Sequence, residues 1–434
     1  MFGYGRLFVR AKDVWIWDSQ GRRYLDFNAG YGSVNLGHNH PRIIECIRSF
    51  LLEEPLNLCH LGPAKQAADL AEALAHRFGE SLSVCMFTNS GSEAVESGIK
   101  LARAATGRSA LVFCDGAYHG LNLGTLSIMG DDRLRRPFEP LLPDCTPIPF
   151  GNLDALRSAL ATKKTAAFIV EPIQCEAGIV LPPKGYLAKA QELCRRHGSL
   201  MIVDEVQTGL GRTGQLCAFQ EEEFVPDVLV LAKSLSGSIA PIGATLTSPK
   251  FHRKAYGATD RCELPFSTFG GNAFSCTVGL ETLNIIDDEQ LVTNSAERGK
   301  QLLDQLRDQL SGHFLIREIR GRGLLVAIEF GSTDKGAMNK ICPSLVDMIV
   351  KGIFGHWVLV RLLERGVISA SATHHWNMLR LEPPLTVTDE HINTLVKVLV
   401  EVMNEYRSMS PILKDTAVRF VQQWCSRRKR PSSP

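Results

Sequence analysis

The sequence predicts an α/β protein: a large domain on a mostly parallel sheet, with a smaller α+β domain beside it. Three observations predict this. Short apolar runs of four or five residues recur along the chain at Val84–Thr88, Ala110–Cys114, Ala166–Val170, Leu200–Val203 and Val228–Leu231. Such continuous runs suit strands buried on both faces. Helical patterns such as Glu93–Ala105 and Gly185–His197 alternate with them, which favours parallel strands joined by crossover helices. The last third changes character, toward long helices and a few isolated strands.

The elements follow in order. Val14–Trp17 alternates, Asp18-Ser-Gln-Gly21 has turn composition, and Tyr24–Phe27 follows, so a hairpin is expected near the start. The apolar runs then carry the main sheet. Thr277–Leu310 reads as one long helix, with Leu291, Leu302, Leu303, Leu306 and Leu310 at helical spacing. Gly321–Phe330 is strand-like, Leu379–Leu381 is a further strand before Pro383-Pro384, and Thr388–Arg407 is an amphipathic helix capped from Thr386–Asp389. The expected division is 1–39 with 286–410 as the small domain, 40–285 as the large one, and 411–434 as a helix with a basic tail. The run Arg427-Arg-Lys-Arg430 could be a targeting signal, but a solvated end is the plainer reading.

Composition excludes several classes. Of 434 residues, 44% are hydrophobic and 22% charged, which is globular rather than disordered. Lys+Arg minus Asp+Glu is 48 − 46 = +2, so no charge excess recruits nucleic acid or an anionic membrane. No apolar stretch approaches the roughly 20 residues of a spanning helix, and the first residues do not read as a secretory signal. The 12 cysteines include no C-x-x-C pair, so no metal framework is expected, and a reducing cytoplasm is the simplest compartment.

In open α/β sheets ligands sit beyond the carboxyl ends of the strands. The residues following the five runs are Asn89-Ser90-Gly91-Ser92, Asp115-Gly-Ala-Tyr118-His119, Glu171-Pro-Ile-Gln-Cys-Glu176, Asp204-Glu-Val-Gln207 and Lys233-Ser234. Each has a plain reading by itself: Ser90 as an N-cap, Lys233 as a lysine snorkelling from a strand end, Asp204 as a cap, Tyr118 as core. Together they supply an anion seat at a helix N-terminus, an aromatic plate, a buried acid and a lysine that can attack carbonyls. That set describes a pyridoxal 5'-phosphate site.

The chain resembles the class III (subgroup II) pyridoxal-phosphate aminotransferases from about Gly5 to Arg407. The most specific stretch is Leu200-Met-Ile-Val-Asp-Glu-Val-Gln-Thr-Gly-Leu-Gly-Arg-Thr-Gly214, followed by Pro226–Lys233 and Pro241–Ala244. Asn35–His38, Asn89–Glu93, Tyr118–Gly120, Glu171–Gln174, Ser267–Asn272 and Leu379–Leu385 support it. The resemblance implies the type I pyridoxal-phosphate transferase fold, like that of aspartate aminotransferase. It implies that Lys233 holds the cofactor as a Schiff base and shuttles the proton, that Asp204 pairs with the pyridine nitrogen, and that Gln207 reaches the phenolic oxygen. Gly91 and Ser92, beside Ser90, would take the phosphate, and Tyr118 would cover the ring, with His119 and Glu171 also in the cofactor site. Thr268 would reach the phosphate of a second copy, making a homodimer. Arg380 would bind a carboxylate of the acceptor, 2-oxoglutarate first among 2-oxo acids. Glu176 would neutralise Arg380 when the donor lacks that carboxylate, and Tyr31 falls where some members place a substrate-selecting aromatic. The closest motif likeness is to putrescine- and ornithine-type ω-aminotransferases, so a terminal primary amine ranks first as donor. Cys175 stands where the family usually has glycine. Aminomutases, amino-acid decarboxylases and an inactive scaffold remain as alternatives on the same fold.

Overall fold

The Asp18 carboxylate organises the first hairpin. It accepts from the amides of Gln20 (2.9 Å) and Arg22 (3.0 Å), from Arg22 Nε (2.8 Å) and from the Tyr24 hydroxyl (2.8 Å). The turn therefore closes on a single buried acid, and β1 (Phe8–Lys12), β2 (Trp15–Asp18) and β3 (Arg23–Asp26) form an antiparallel set. These relationships come from a computed structural model that describes residues 5–58, 62, 64–331, 352 and 354–406. The expected 411–434 segment lies outside the described residues.

The main sheet contains β4 (Val84–Thr88), β5 (Ala110–Cys114), β6 (Cys145–Ile148), β7 (Thr165–Val170), β8 (Leu200–Asp204), β9 (Val228–Leu231) and β10 (Gly243–Thr247). Its order is β4-β10-β9-β8-β7-β5-β6. Only β10 runs antiparallel, to both β4 and β9, so the other six strands point the same way. All five predicted apolar runs thus end at one edge. Every residue of β7, β8 and β9 is buried, which explains their unbroken apolar character.

Two strands escaped the periodicity. β10 carries Thr245 and Thr247, yet both are fully buried because their hydroxyls donate to Ala94 O (2.7 Å) and Asp227 O (2.9 Å). β6 is a short edge strand containing Pro147, a residue tolerated there because an edge need not donate on both sides.

A second sheet has the order β1-β2-β3-β13, in which β13 (Val367–Ile368) runs parallel to β3. A third joins β11 (Ile316–Arg322), β12 (Leu325–Phe330) and β14 (Met378–Leu381). The expected single strand over Gly321–Phe330 is in fact the end of β11, a tight turn and β12. Gly323 makes that turn possible with φ 54°, while a Cβ there would lie 2.4 Å from the Thr213 carbonyl carbon.

The expected helix over Thr277–Leu310 is two helices, Ala273–Asp288 and Leu291–Leu310. The break falls after Asp287-Asp288-Glu289, an acidic run at the helix end where the dipole is also negative. Asp288 and Glu289 turn outward to Arg42 (2.7 Å) and His40 (3.1 Å), and Gln290 takes φ 52°. The later helix, Asp389–Asn404, has Thr388 at its N-cap as expected. No helix among the described residues is long and apolar enough to cross a membrane.

Candidate active site

The carboxyl edge of the main sheet holds a cleft. Gly91, Ser92, Tyr118, His119, Glu171, Asp204, Gln207 and Lys233 line it, together with Gly120, Val206 and Thr208. Eight of the sequence-predicted residues therefore meet in one place, although they come from five separate strand ends.

Ser90 does not line the cleft. It is the N-cap of the Gly91–Thr106 helix, and its hydroxyl accepts from Glu93 N (3.2 Å). The capping reading of Ser90 is thus realised, and the next amides, at Gly91 and Ser92, lie in the first turn, where no intrahelical acceptor exists. Ser92 Oγ contacts Thr125 Oγ1 (2.9 Å) and accepts from Asn122 N (3.2 Å). The seat is built for close approach. A Cβ on Gly91 would meet Val206 at 2.9 Å, and one on Gly120 would meet Ser92 Oγ at 2.4 Å.

Asp204, the last residue of β8, is 4% exposed. Its Oδ2 lies 2.7 Å from His119 Nδ1, and Oδ1 accepts from Val206 N at 3.0 Å. Burial pulls the His119 imidazole down, but the hydrogen bond and charge of Asp204 outweigh it and hold the ring above its ordinary value. Glu171 accepts from Tyr118 N (2.9 Å) and Cys175 N (3.3 Å). Burial pushes its carboxyl up to about 7, with the Asp204 charge adding to the rise.

Lys233 directly follows β9 and Ala232, with φ 46°, a left-handed conformation that costs a non-glycine residue about 1–3 kcal/mol. Its Nζ donates to Gln207 Oε1. Gln207 Nε2 in turn donates to Glu382 Oε1 (2.9 Å), and Glu382 Oε1 lies 3.7 Å from Arg380. A polar chain therefore leads from the lysine to a buried arginine.

Arg380, on β14, is 1% exposed. Its Nη1 donates to Glu176 Oε1 (2.7 Å) and Cys175 O (3.4 Å), while Nε and Nη2 have no partner among the described residues. Burial would lower this guanidinium, but the charges of Glu382 and Glu176 hold it above its ordinary value. Burial would raise Glu176, but the Arg380 charge and the Thr373 hydrogen bond hold it at about 2. The Tyr31 ring lies 5.6 Å from the Arg380 guanidinium carbon. Tyr31 is exposed and occupies a left-handed turn with Ala29, Gly30 and Gly32. Cys175 is fully buried, and its amide and carbonyl serve Glu171 and Arg380 respectively.

Thr268 stands apart. It is exposed on the loop before Ala273–Asp288, flanked by Phe266 and Phe269, both more than 60% exposed. It does not line the cleft of its own chain.

Two further buried charged residues, Glu382 and Arg212, lie within the Leu379–Leu385 and Leu200–Gly214 stretches. Glu382 connects Gln207 to Arg380 as above. Arg212 is fully buried and donates to Leu324 O (3.0 Å), Asn35 Oδ1 and Pro383 O, tying three distant segments together. Burial pulls its guanidinium down to about 10. The available signal was a charge inside an otherwise apolar or glycine-rich run, Gly-Leu-Gly-Arg-Thr-Gly and Leu-Arg-Leu-Glu-Pro-Pro.

A sheet edge with a lysine, a histidine-supported acid, a glycine-lined helix N-terminus and a polar chain to a buried arginine defines a pyridoxal-phosphate enzyme of the type I fold. Known proteins agree. The pattern of the family described as Aminotransferase class-III matches residues 4–403. The chain is 36% identical over 430 residues to the aminotransferase PigE of a Serratia species, covering 92% of this chain and 50% of that protein. It therefore spans about half the length of this curated relative. Among solved structures it is similar to the ornithine aminotransferase of Toxoplasma gondii, with 33% identity, TM-score 0.82, and 94% and 93% of the two chains covered. It is also similar to an amine transaminase from an uncultivated Pseudomonas species in its PLP-bound form, with 28% identity, TM-score 0.81, and 91% and 93% covered. The chain belongs to the class-III aminotransferase family, whose cofactor is pyridoxal phosphate.

Proposed function

We propose that this chain moves an amino group from a primary amine, a terminal one first, to a 2-oxo acid, with 2-oxoglutarate the leading acceptor. The observation that carries this reading is the Glu176–Arg380 pair buried beside the Lys233 cleft. An arginine neutralised by a displaceable carboxylate suits two substrates in turn, one with a carboxylate at that point and one without. The relatives named as ornithine aminotransferase and amine transaminase support an amine donor of this kind.

When bound, pyridoxal phosphate supplies an electrophilic carbon for amine exchange and an electron-withdrawing ring. The chain's residues do the rest. Lys233 would hold the cofactor, and its Nζ would carry a proton to and from the substrate carbon; Gln207 is the acceptor that orients that nitrogen. Asp204 would present its carboxylate to the ring nitrogen, and His119 fixes the rotation of that carboxylate. The Gly91 and Ser92 amides and the Ser92 hydroxyl take the phosphate at the helix N-terminus. Tyr118 would lie against the cofactor ring, and Glu171 braces the Tyr118 backbone. Arg380 binds the acceptor's carboxylate, Glu176 substitutes for that carboxylate when an amine is bound, and Tyr31 limits what fits above Arg380.

The same reading makes the active unit a homodimer. Thr268 is exposed in its own chain and flanked by Phe266 and Phe269, apolar surface that a second copy would cover. Thr268 then reaches the phosphate of that copy.

An amine screen tests the proposal. Terminal diamines and ω-amino acids should convert the yellow enzyme to its amino form, and 2-oxoglutarate should restore the colour. Release of carbon dioxide or an isomerised amine, with no dependence on the oxo acid, would instead establish a decarboxylase or aminomutase.

A further inference from the structure

Glu176 is held from two sides. One carboxylate oxygen, Oε1, accepts from Arg380 Nη1 at 2.7 Å. The other, Oε2, accepts from Thr373 N at 3.1 Å and from the Thr373 hydroxyl. The backbone of Glu176 is tied to the same loop, since its carbonyl accepts from His374 N at 3.2 Å. That loop is anchored in turn by Arg133, whose Nη2 donates to His374 O at 2.9 Å. Glu176 itself is buried, whereas Thr373 is exposed.

We propose that Thr373 is a positioning residue that latches Glu176 against Arg380 and so sets the balance between the two substrate classes. This rests on the gate reading of Glu176 and Arg380 given above. An incoming oxo acid must take Glu176's place on Arg380. Its apparent affinity is the gain of its own carboxylate contact minus the loss of Glu176's contacts in the resting position. The Thr373 hydroxyl belongs to that resting position, because Glu176 cannot swing from Arg380 about its side-chain bonds and keep both oxygens where they are. A hydrogen bond to a charged group resists this displacement more strongly than a neutral one. The backbone amide of Thr373 remains whatever the side chain, so the hydroxyl is the adjustable part.

The test uses the holoenzyme and single-turnover kinetics of each half-reaction. Thr373→Val removes the hydroxyl at nearly constant shape and at an exposed position. The KM for 2-oxoglutarate should fall by up to about tenfold. The KM for the amine donor should rise, because Arg380 is then less completely neutralised in that half-reaction. Thr373→Ser restores the hydroxyl and should return both values toward wild type. A Thr373→Val enzyme with unchanged KM values, beside a Glu176→Gln enzyme whose oxo-acid KM does shift, overturns the latch and leaves the gate standing. If neither variant shifts the oxo-acid KM, the gate itself is wrong. Equal slowing of both half-reactions, not rescued by serine, makes Thr373 structural and also overturns the latch.

Discussion

The carboxylate of Asp204 meets the imidazole of His119 at 2.7 Å, with both side chains buried beyond the carboxyl ends of β8 and β5, two strands that β7 separates. Asp204 ends β8 and His119 lies on the loop after β5, so the contact spans 85 residues of sequence. With Oδ1 taken by Val206 N, the pair leaves the acid one fixed orientation across the cleft.

Asp204→Asn should therefore cost roughly 10²-fold or more in transamination rate, by removal of one electrostatic stabiliser. His119→Asn, which keeps Asp204 but loosens it, should cost less than Asp204→Asn does. Near-normal single-turnover rates in folded Asp204→Asn protein would refute the role given to the acid.

Arg380→Ala should raise the KM for 2-oxoglutarate by roughly 10- to 100-fold, the worth of a hydrogen-bonded charge contact. The amine half-reaction should suffer much less, since its substrate offers no carboxylate at that point. Stopped-flow traces of the two half-reactions separate these outcomes. Equal slowing of both would make Arg380 a structural residue.

Subunit mixing tests the placement of Thr268. Lys233→Ala and Thr268→Ala homodimers should each be impaired, whereas mixed dimers should regain one intact site of the two. Recovered activity well below that of the statistically expected mixed population would place Thr268 outside the partner's site.

Glu205, the buried residue next to Asp204, gives a pH prediction. It is 1% exposed and accepts from Phe219 N (2.7 Å) and the Thr208 hydroxyl. Burial pushes its carboxyl up to about 7 from an ordinary 4.5. The folded value is the higher one, so proton binding stabilises the fold fully below pH 4.5, and this stabilisation is lost as pH rises to 7. Glu205→Gln mimics the protonated form. Its stability relative to wild type should grow across that window by on the order of 3 kcal/mol, then level off. Chemical denaturation at the two ends of the window measures this, and a flat difference would show that Glu205 is ionised throughout.

The large sheet was legible because burial on both faces leaves strands no choice but apolar residues. Where polar groups are satisfied inside, that signal fails. Thr245 and Thr247 interrupt the apolar pattern of β10, yet both are buried because their hydroxyls donate to the Ala94 and Asp227 carbonyls. The cleft was legible for the same topological reason: each of its residues follows an apolar run, and parallel strands bring those ends to one edge. The links between cleft and arginine were not. Gln207 meets Glu382 across 175 residues, and Glu176 meets Thr373 across 197. No local spacing reports such pairs. The helix break at Gln290 was hidden for a different reason, since leucines continue at helical spacing on both sides of it.

The central claim is that Lys233, held by Gln207 at the end of β9, is the amine that carries pyridoxal phosphate. Borohydride reduction of the yellow holoenzyme, followed by peptide mapping, tests it directly. The account predicts the reduced cofactor on the peptide containing Lys233 and no catalytic turnover in folded Lys233→Ala protein. Label on another lysine, with turnover surviving in that variant, would contradict it.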